Sequence, residues 1–455
     1  MTEHGPGPPP RWASKGRPLS VARPARRGRR GGRPRTQRLY RIGLFGYLGS
    51  GNIGNDASME SMLGYLRSAH PDAVIDAMCT GPERINLRYG LEAEPLFWYF
   101  GLGRPYGGLV SIALKSFSKI IDLARIAAWV RRHDAVIVPG MGVLETTLPL
   151  RAFGAPYAMF VMCASGRLFG TKVALASVGA NVIRQPLIRW LYHRAARLAT
   201  YVSYRDAGSM AAMPPRRGDA STKRIYPDLA FGLPADSDNP GDEHVIGVGV
   251  MDFHGTNDDR GQAARIYASY VEVVTRFVLW LADTGHQVKL FVGDTKGSDE
   301  RVVDEILAQV PVRRPDLPPD RVSAAPVSSF SELTDAMTPA SAIIATRYHN
   351  LICALRLAKP TISIGYAAKH DTLMSTLGLT EYCQHAAALD LDLLIEQFTD
   401  LTSRSAELRV AIAQRDSELA DEVAGQFAAL SALLFPTPAR QRADAVRPMT
   451  ANLDR

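Results

Sequence analysis

Residues 340–379, ASAIIATRYHNLICALRLAKPTISIGYAAKHDTLMSTLGL, constrain the fold more than any other stretch of this 455-residue chain. Ser341 to Thr346 is a short apolar run of the length of a buried strand. Arg347, Tyr348, His349 and Asn350 follow at once, and Leu351, Ile352, Leu355 and Ala358 then recur at helical spacing. Lys359-Pro360 ends that helix, because Pro cannot continue it. Thr361 to Ile364 predicts a second strand, Gly365-Tyr366 turns out of it, and Lys369 precedes a further helix. Strands joined through a crossover helix pair in parallel and point the same way. If these two are neighbours, Arg347, His349 and Lys369 share the C-terminal rim, where open α/β sheets take ligands. Two fixed cations beside a titratable imidazole suit an anionic substrate that needs a proton moved. The competing reading is a pair of solvated loop cations.

The rest of the chain repeats the alternation. Leu39 to Phe45 predicts a strand, Gly46 to Asn55 a glycine-rich loop, and Met59, Met62, Leu63 and Leu66 one face of a helix capped by Asn55 or Asp56. A helix N-terminus after such a loop can bind an anion. The glycine spacing is not that of a dinucleotide fold, and a tight turn is the alternative. Further strands are expected over Val74–Met78, Ala135–Val138, Val173–Ser177 and Tyr201–Tyr204. The second of these strands, Ala135–Val138, ends in PGMG, Pro139 to Gly142, where Pro139 and Met141 weaken any claim to a backbone cradle. Arg205, at a strand end, offers a planar fork to a carboxylate or phosphate, or else an ion pair to Asp206 or a neighbour. Gly107–Val130 predicts a long helix, a core element first and a face resting on lipid second, with Lys115, Lys119 and Arg125 among its apolar residues. Tyr226-Pro227-Asp228 closes a first domain, and DSDNPGD, residues 236–242, reads as a linker. The second half is expected to hold strands His244–Val250 and Gln287–Val292, helices over Ala263–Ala282 and Val302–Gln309, and a long surface helix over Ser403–Leu434. The whole predicts an α/β fold of two doubly wound Rossmann-like domains facing a cleft, over residues 39–235 and 243–435, with a frayed C-terminus over 436–455.

Charge is unevenly spread. The chain carries +8, but residues 1–38 hold eleven Arg or Lys and one acid, Glu3, so the remaining body is at −2. That Pro-, Gly- and Arg-rich tail has too little apolar area to fold and is expected to be disordered. It is the only basis for a nucleic-acid-binding reading, since the body is near neutral. Cys79, Cys163, Cys353 and Cys383 have no metal-ligand spacing and read as reduced thiols of a cytoplasmic protein. No secretory signal and no apolar run of spanning length is expected.

RYHNLICALRLAKPTISIGYAAKHDTLMSTLGL and the earlier GYLGSGNIGNDASMESMLGYL, Gly46 to Leu66, resemble the two signature stretches of the polysaccharide pyruvyl transferase family. The resemblance covers about residues 40 to 435. It implies two domains in the arrangement called GT-B, and transfer of the enolpyruvyl carbons of phosphoenolpyruvate onto a sugar, usually as a cyclic ketal. It implies a glycan or lipid-linked glycan acceptor; the residues themselves show no metal-ligand cluster, no cofactor is expected, and the expected location is the cytoplasm, with peripheral contact to the membrane's inner face as a further expectation. SYRD around Arg205 matches a family element implicated in donor binding. Arg205, Arg347 and Lys369 are then donor-binding candidates and His349 the acid/base candidate, since imidazole titrates near neutrality. Asn52 and Asp56 are candidates on the acceptor side, with helix capping the rival role for Asp56. A nucleotide-sugar glycosyltransferase of the same fold is the alternative function.

Overall fold

Two parallel six-stranded sheets, each covered by helices, account for the described part of the protein. The computed structural model describes residues 39–98, 108–145, 152–213, 225–235, 237–255, 257–294 and 298–435. The readings for residues 1–38 and 436–455 lie outside these.

The first sheet is built from β1 (Arg41–Gly46), β2 (Val74–Cys79), β3 (Glu92–Pro95), β4 (Ala135–Pro139), β5 (Lys172–Val178) and β6 (Tyr201–Tyr204), in the order β3-β2-β1-β4-β5-β6. Its connecting helices are α1 (Ile53–Ala69), α2 (Pro82–Tyr89), α3 (Gly108–Arg131), α4 (Ala155–Phe169) and α5 (Pro186–Leu198), and α6 (Ala207–Ala211) follows β6. The second sheet contains β7 (Asp242–Gly249), β8 (Gln287–Phe291), β9 (Val322–Ala324), β10 (Ala340–Ala345), β11 (Thr361–Gly365) and β12 (Cys383–His385), in the order β12-β11-β10-β7-β8-β9. Helices α7 (Ala263–Asp283), α8 (Ser298–Arg313), α9 (Phe330–Met337), α10 (Tyr348–Arg356), α11 (Ala368–Thr376) and α12 (Leu391–Ser403) connect and cover it. The two orders are the same doubly wound topology, so each sheet reverses direction once, between β1 and β4 and between β7 and β10. Ligand crevices of such sheets open at those switch points, beyond the carboxyl ends of the strands.

Central strands are apolar on both faces, as parallel strands under two helix layers must be. Ala135–Pro139 is buried at every position, as is Thr361–Gly365. The edge strands β3, β9 and β12, reading EAEP, VSA and CQH, lack that pattern and are strands only through their neighbours.

Three local expectations change. Helix α1 is capped by Asn52, whose side-chain oxygen accepts from the Gly54 and Asn55 N–H groups at 3.1 and 3.2 Å, so neither Asn55 nor Asp56 is the cap. Helix α10 begins at Tyr348, with Arg347 at its N-cap. The long C-terminal helix begins at Ser405, as α13 (Ser405–Leu434), after a break at Arg404. It also returns to the first domain. Gln426 hydrogen-bonds the hydroxyls of Ser177 and Ser203, Phe427 stacks on Tyr65 at 4.8 Å, and Phe435 meets Tyr40 at 5.0 Å. Earlier in the same helix, Asp416 receives both its hydrogen bonds from Arg356 of α10 at 3.0 Å. One helix therefore straps the two halves together.

Candidate active site

Loops from both sheets meet where their carboxyl ends face each other. In the first domain, Glu145 follows β4 beyond a turn in which Gly140 and Met141 both take positive φ, 59° and 67°. Met141 tolerates that left-handed conformation at a cost of about 1–2 kcal/mol and is buried. Leu144 then bridges to Ala180 beyond β5, which fixes Glu145 at the rim. Arg205 directly follows β6. Asp228 precedes a short 3-10 turn, Leu229–Gly232, and accepts the Ala230 N–H at 3.1 Å. The second domain supplies Tyr348 and His349 from the first turn of α10 and Lys369 from the first turn of α11.

These six side chains form one cluster. The Arg205 guanidinium is buried and pairs with Glu145, with Asp228 at 3.5 Å and with Asp206 at 3.7 Å. Lys369 Nζ reaches the other Glu145 oxygen at 3.8 Å, and His349 Nε2 stands 3.8 Å from Asp228 Oδ2. The Tyr348 ring lies 5.1 Å from Arg205 and 5.2 Å from Lys369, in cation–π range of both. Two carboxylates of one domain thus hold cations of both. The close approach needs Gly54, since a Cβ there would run into the His349 imidazole.

Charge state follows from these contacts. Burial pushes the Glu145 carboxyl up, but Arg205, Lys369 and His349 outweigh it and hold the group below its ordinary value. Burial opposes the Asp228 carboxylate in the same way, and His349 and Arg205 overcome it, holding the carboxyl well below its ordinary range. Both are anions at neutral pH. His370, buried behind Lys369, is the opposite case. Burial, aided by Lys369, pushes its imidazole down to about 3, so it is a neutral ring at neutral pH, set between the Thr346 and Ala367 carbonyls. His349 Nε2, Arg205 Nε and both amide atoms of Asn350 are buried without a hydrogen-bond partner among the described residues. Buried polar atoms are normally satisfied, and this group of exceptions sits at or beside the cluster.

The expected site residues divide accordingly. Arg205, His349 and Lys369 come together. Arg347 does not join them, because its Nε and Nη2 form a fork-to-fork pair with Asp299 at 2.8 and 2.6 Å. Its expected alignment with His349 assumed an extended chain. His349 is instead inside a helix that Arg347 caps, and residues two apart there face different ways. Asn52 caps α1. Asp56 is buried, accepts the Gly49 N–H at 2.8 Å and lies 3.7 Å from Arg84, so it shapes the glycine loop. The Asn52 backbone bridges to Asp294 of the other domain, and Ile53 N–H reaches Gly293 O at 3.4 Å. Glu145 and Asp228 escaped the sequence reading. No group of three or more His, Cys, Asp or Glu suited to a metal occurs among the described residues.

Comparison with known proteins agrees with this architecture. S. aureus MnaA, in a co-structure with UDP, superimposes with a TM-score of 0.54 at 10% identity over 87% of this chain and 97% of that one. The UDP-GlcNAc 2-epimerase from Neisseria meningitidis, bound to UDP-GlcNAc, gives 0.51 at 11% identity over 86% and 99%. At such identities the likeness is one of fold: two Rossmann-like domains in the GT-B arrangement. No curated protein matches the chain. The sequence pattern of the polysaccharide pyruvyl transferases matches residues 52–367, from the cap of α1 to the turn that delivers Lys369. That span contains every member of the cluster but Lys369 itself, and it places this chain in the polysaccharide pyruvyl transferase family of transferases.

Proposed function

We propose that the protein transfers the pyruvyl group of phosphoenolpyruvate onto a sugar of a cell-surface polysaccharide or its lipid-linked precursor, as a cyclic ketal. The observation that carries this reading is the meeting of Arg205, Lys369 and His349, from two domains, in one cluster held by Glu145 and Asp228. Family membership supports it.

The donor carries a carboxylate and a phosphate. Arg205 offers a planar fork and Lys369 a point charge, complementary grips for those two groups. Glu145 pairs with both cations, more closely with Arg205 than with Lys369, which it meets at 3.8 Å. His349 is the proton donor. Its Nε2 stands 3.8 Å from the Asp228 carboxylate, and a positioned imidazole is the side chain most often used for such proton transfer. Protonation of the donor methylene turns it into a methyl group and leaves a cationic C2. One sugar hydroxyl adds there, losing its proton. A second hydroxyl then adds at C2 as the C2–O bond to phosphate breaks, and phosphate departs with the bonding pair and takes up that hydroxyl's proton. Arg347, forked to Asp299, stays outside this grip. Asn52 and Asp56 line the acceptor side only through the glycine loop they shape. The reaction as written needs no cofactor.

Thermal-shift titration of the full-length protein separates this reading from that of a nucleotide-sugar glycosyltransferase. Phosphoenolpyruvate is expected to raise the melting temperature, and a panel of sugar nucleotides to leave it unchanged. The reverse result overturns the proposal in favour of the glycosyltransferase.

A further inference from the structure

We propose that the outer face of the first domain, formed by α3, α4 and α5, docks on an anionic phospholipid surface. The three helices pack side by side. Between Ala152 and Tyr204 the chain carries six Arg or Lys residues and no Asp or Glu, within a body, residues 39–455, whose net charge is −2. Among the described residues none of Arg189, Arg194 and Arg197 on α5 has a carboxylate within ion-pair distance, and all three are exposed.

Large apolar side chains share that face. From α3, Ile120 and Leu123 are 66% and 46% exposed, and Ala124 and Ala128 continue the outward stripe. The cations of that helix turn aside. Lys119 binds Asp122 at 2.9 Å, and Arg125 donates to the Pro95 carbonyl at 2.9 Å. Leu168 at the end of α4, Val182 in the loop before α5 and Leu187 in its first turn are left outside, at 76%, 78% and 48% exposure. Trp190 packs one side on Phe160, at 5.4 Å, and is 49% exposed, with Arg194 5.8 Å from its ring. Aliphatic and indole groups ringed by unpaired arginines match a headgroup layer, where the rings and aliphatics insert and the cations meet phosphate. Nucleic acid would match the arginines but not the aliphatics. A second copy of the chain would bring the same positive charge. No described helix is long and apolar enough to cross a membrane, so the contact is peripheral.

The loop entering α5 leaves the rim that carries the cluster, and Gly179 N–H there bonds to Met141 O at 2.8 Å. Val182, in that loop, therefore lies toward the rim that carries the cluster, and docking would hold that rim near the lipid. This inference does not depend on the donor.

The test is flotation of the full-length protein with vesicles of equimolar phosphatidylglycerol and phosphatidylcholine, against phosphatidylcholine alone. Binding to the anionic vesicles, weakened by salt, is expected, and Arg189→Glu/Arg194→Glu/Arg197→Glu should weaken it at least about tenfold. The basic tail carries its own tryptophan, Trp12, so a second measurement isolates the face. Quenching by brominated lipid should fall in Trp190→Phe relative to the parent. Parent-like vesicle binding by the triple variant overturns the proposal, as does quenching unchanged in Trp190→Phe, which would place the contact in the tail. So does a dimer in sedimentation that Trp190→Glu dissociates, or duplex DNA bound through these arginines without any vesicle binding.

Discussion

Arg205 and Arg347 both leave the carboxyl end of a parallel strand, and both are paired with carboxylates. Burial alone would make each guanidinium easier to deprotonate, and in each case the carboxylates outweigh it. The difference is in who shares the carboxylate. Glu145 and Asp228, which hold Arg205, also face Lys369 and His349 of the other domain. Asp299, which holds Arg347, is wholly buried within Arg347's own domain and also accepts the Asp252 N–H at 3.0 Å. One arginine is wired to the cleft and the other to the fold. The same residue type at the same kind of position thus carries different consequences, decided by partners distant in sequence.

The largest expected effect tests whether His349 belongs with Arg205, across the cleft, or with Arg347, its near neighbour in sequence. His349→Gln should lower single-turnover phosphate release by about 10²–10⁴-fold while weakening donor binding less than loss of a cluster cation does. Near-normal turnover would return His349 to a structural role. Next is Arg347→Ala. It strands the Asp299 carboxylate, so denaturant melts should show a loss of about 3–5 kcal/mol, partly recovered by adding Asp299→Asn. Unchanged stability with lost donor binding would move Arg347 into the cleft and erase the contrast.

Arg205→Lys keeps the charge and removes the fork. Donor affinity should fall by about 10- to 100-fold, the worth of one charge-assisted hydrogen bond, with a smaller stability loss than Arg347→Ala. Equal losses of stability in the two variants would break the comparison from the other side. The smallest effect concerns His370, beneath the cluster. Its imidazole titrates at about 3 in the fold against an ordinary 6.5. As pH falls below about 6.5 the unfolded chain takes a proton that the folded chain refuses, so stability is lost progressively down to about 3. The slope from this group is at most about 1.4 kcal/mol per pH unit. His370→Asn should flatten the profile between pH 7 and 5 in parallel denaturant melts, and an unchanged slope would show that the ring is not the refusing group.

The cations of the cluster were legible in the sequence because strand-end positions advertise themselves. Arg205 after YVSY, His349 just beyond SAIIAT and Lys369 beyond TISIG all follow short apolar runs. Glu145 and Asp228 were not legible. Each is a lone acid in a loop, with no spacing to a partner, and gains meaning only when the sheets bring Arg205 and His349 to it. Helix α10 hid its first turn, since YHN is polar and the apolar period starts at Leu351, and this made Arg347 and His349 look like one unit. The edge strands were invisible for a related reason: EAEP, VSA and CQH carry no apolar alternation and are held by backbone pairing to buried neighbours. The path of α13 was legible as a helix but not as a strap, because Gln426, Phe427 and Phe435 find their partners more than two hundred residues away.

The most direct test of a donor site shared by two domains is calorimetric titration of phosphoenolpyruvate into the full-length parent and Lys369→Met at neutral pH. Lys369 belongs to the second domain and touches Glu145 of the first at the edge of the cluster. The account predicts binding to the parent, at least about tenfold weaker binding to the variant, and an unchanged melting temperature for the free protein. Equal affinity for the two proteins, or heat with UDP-GlcNAc and none with phosphoenolpyruvate, would contradict it.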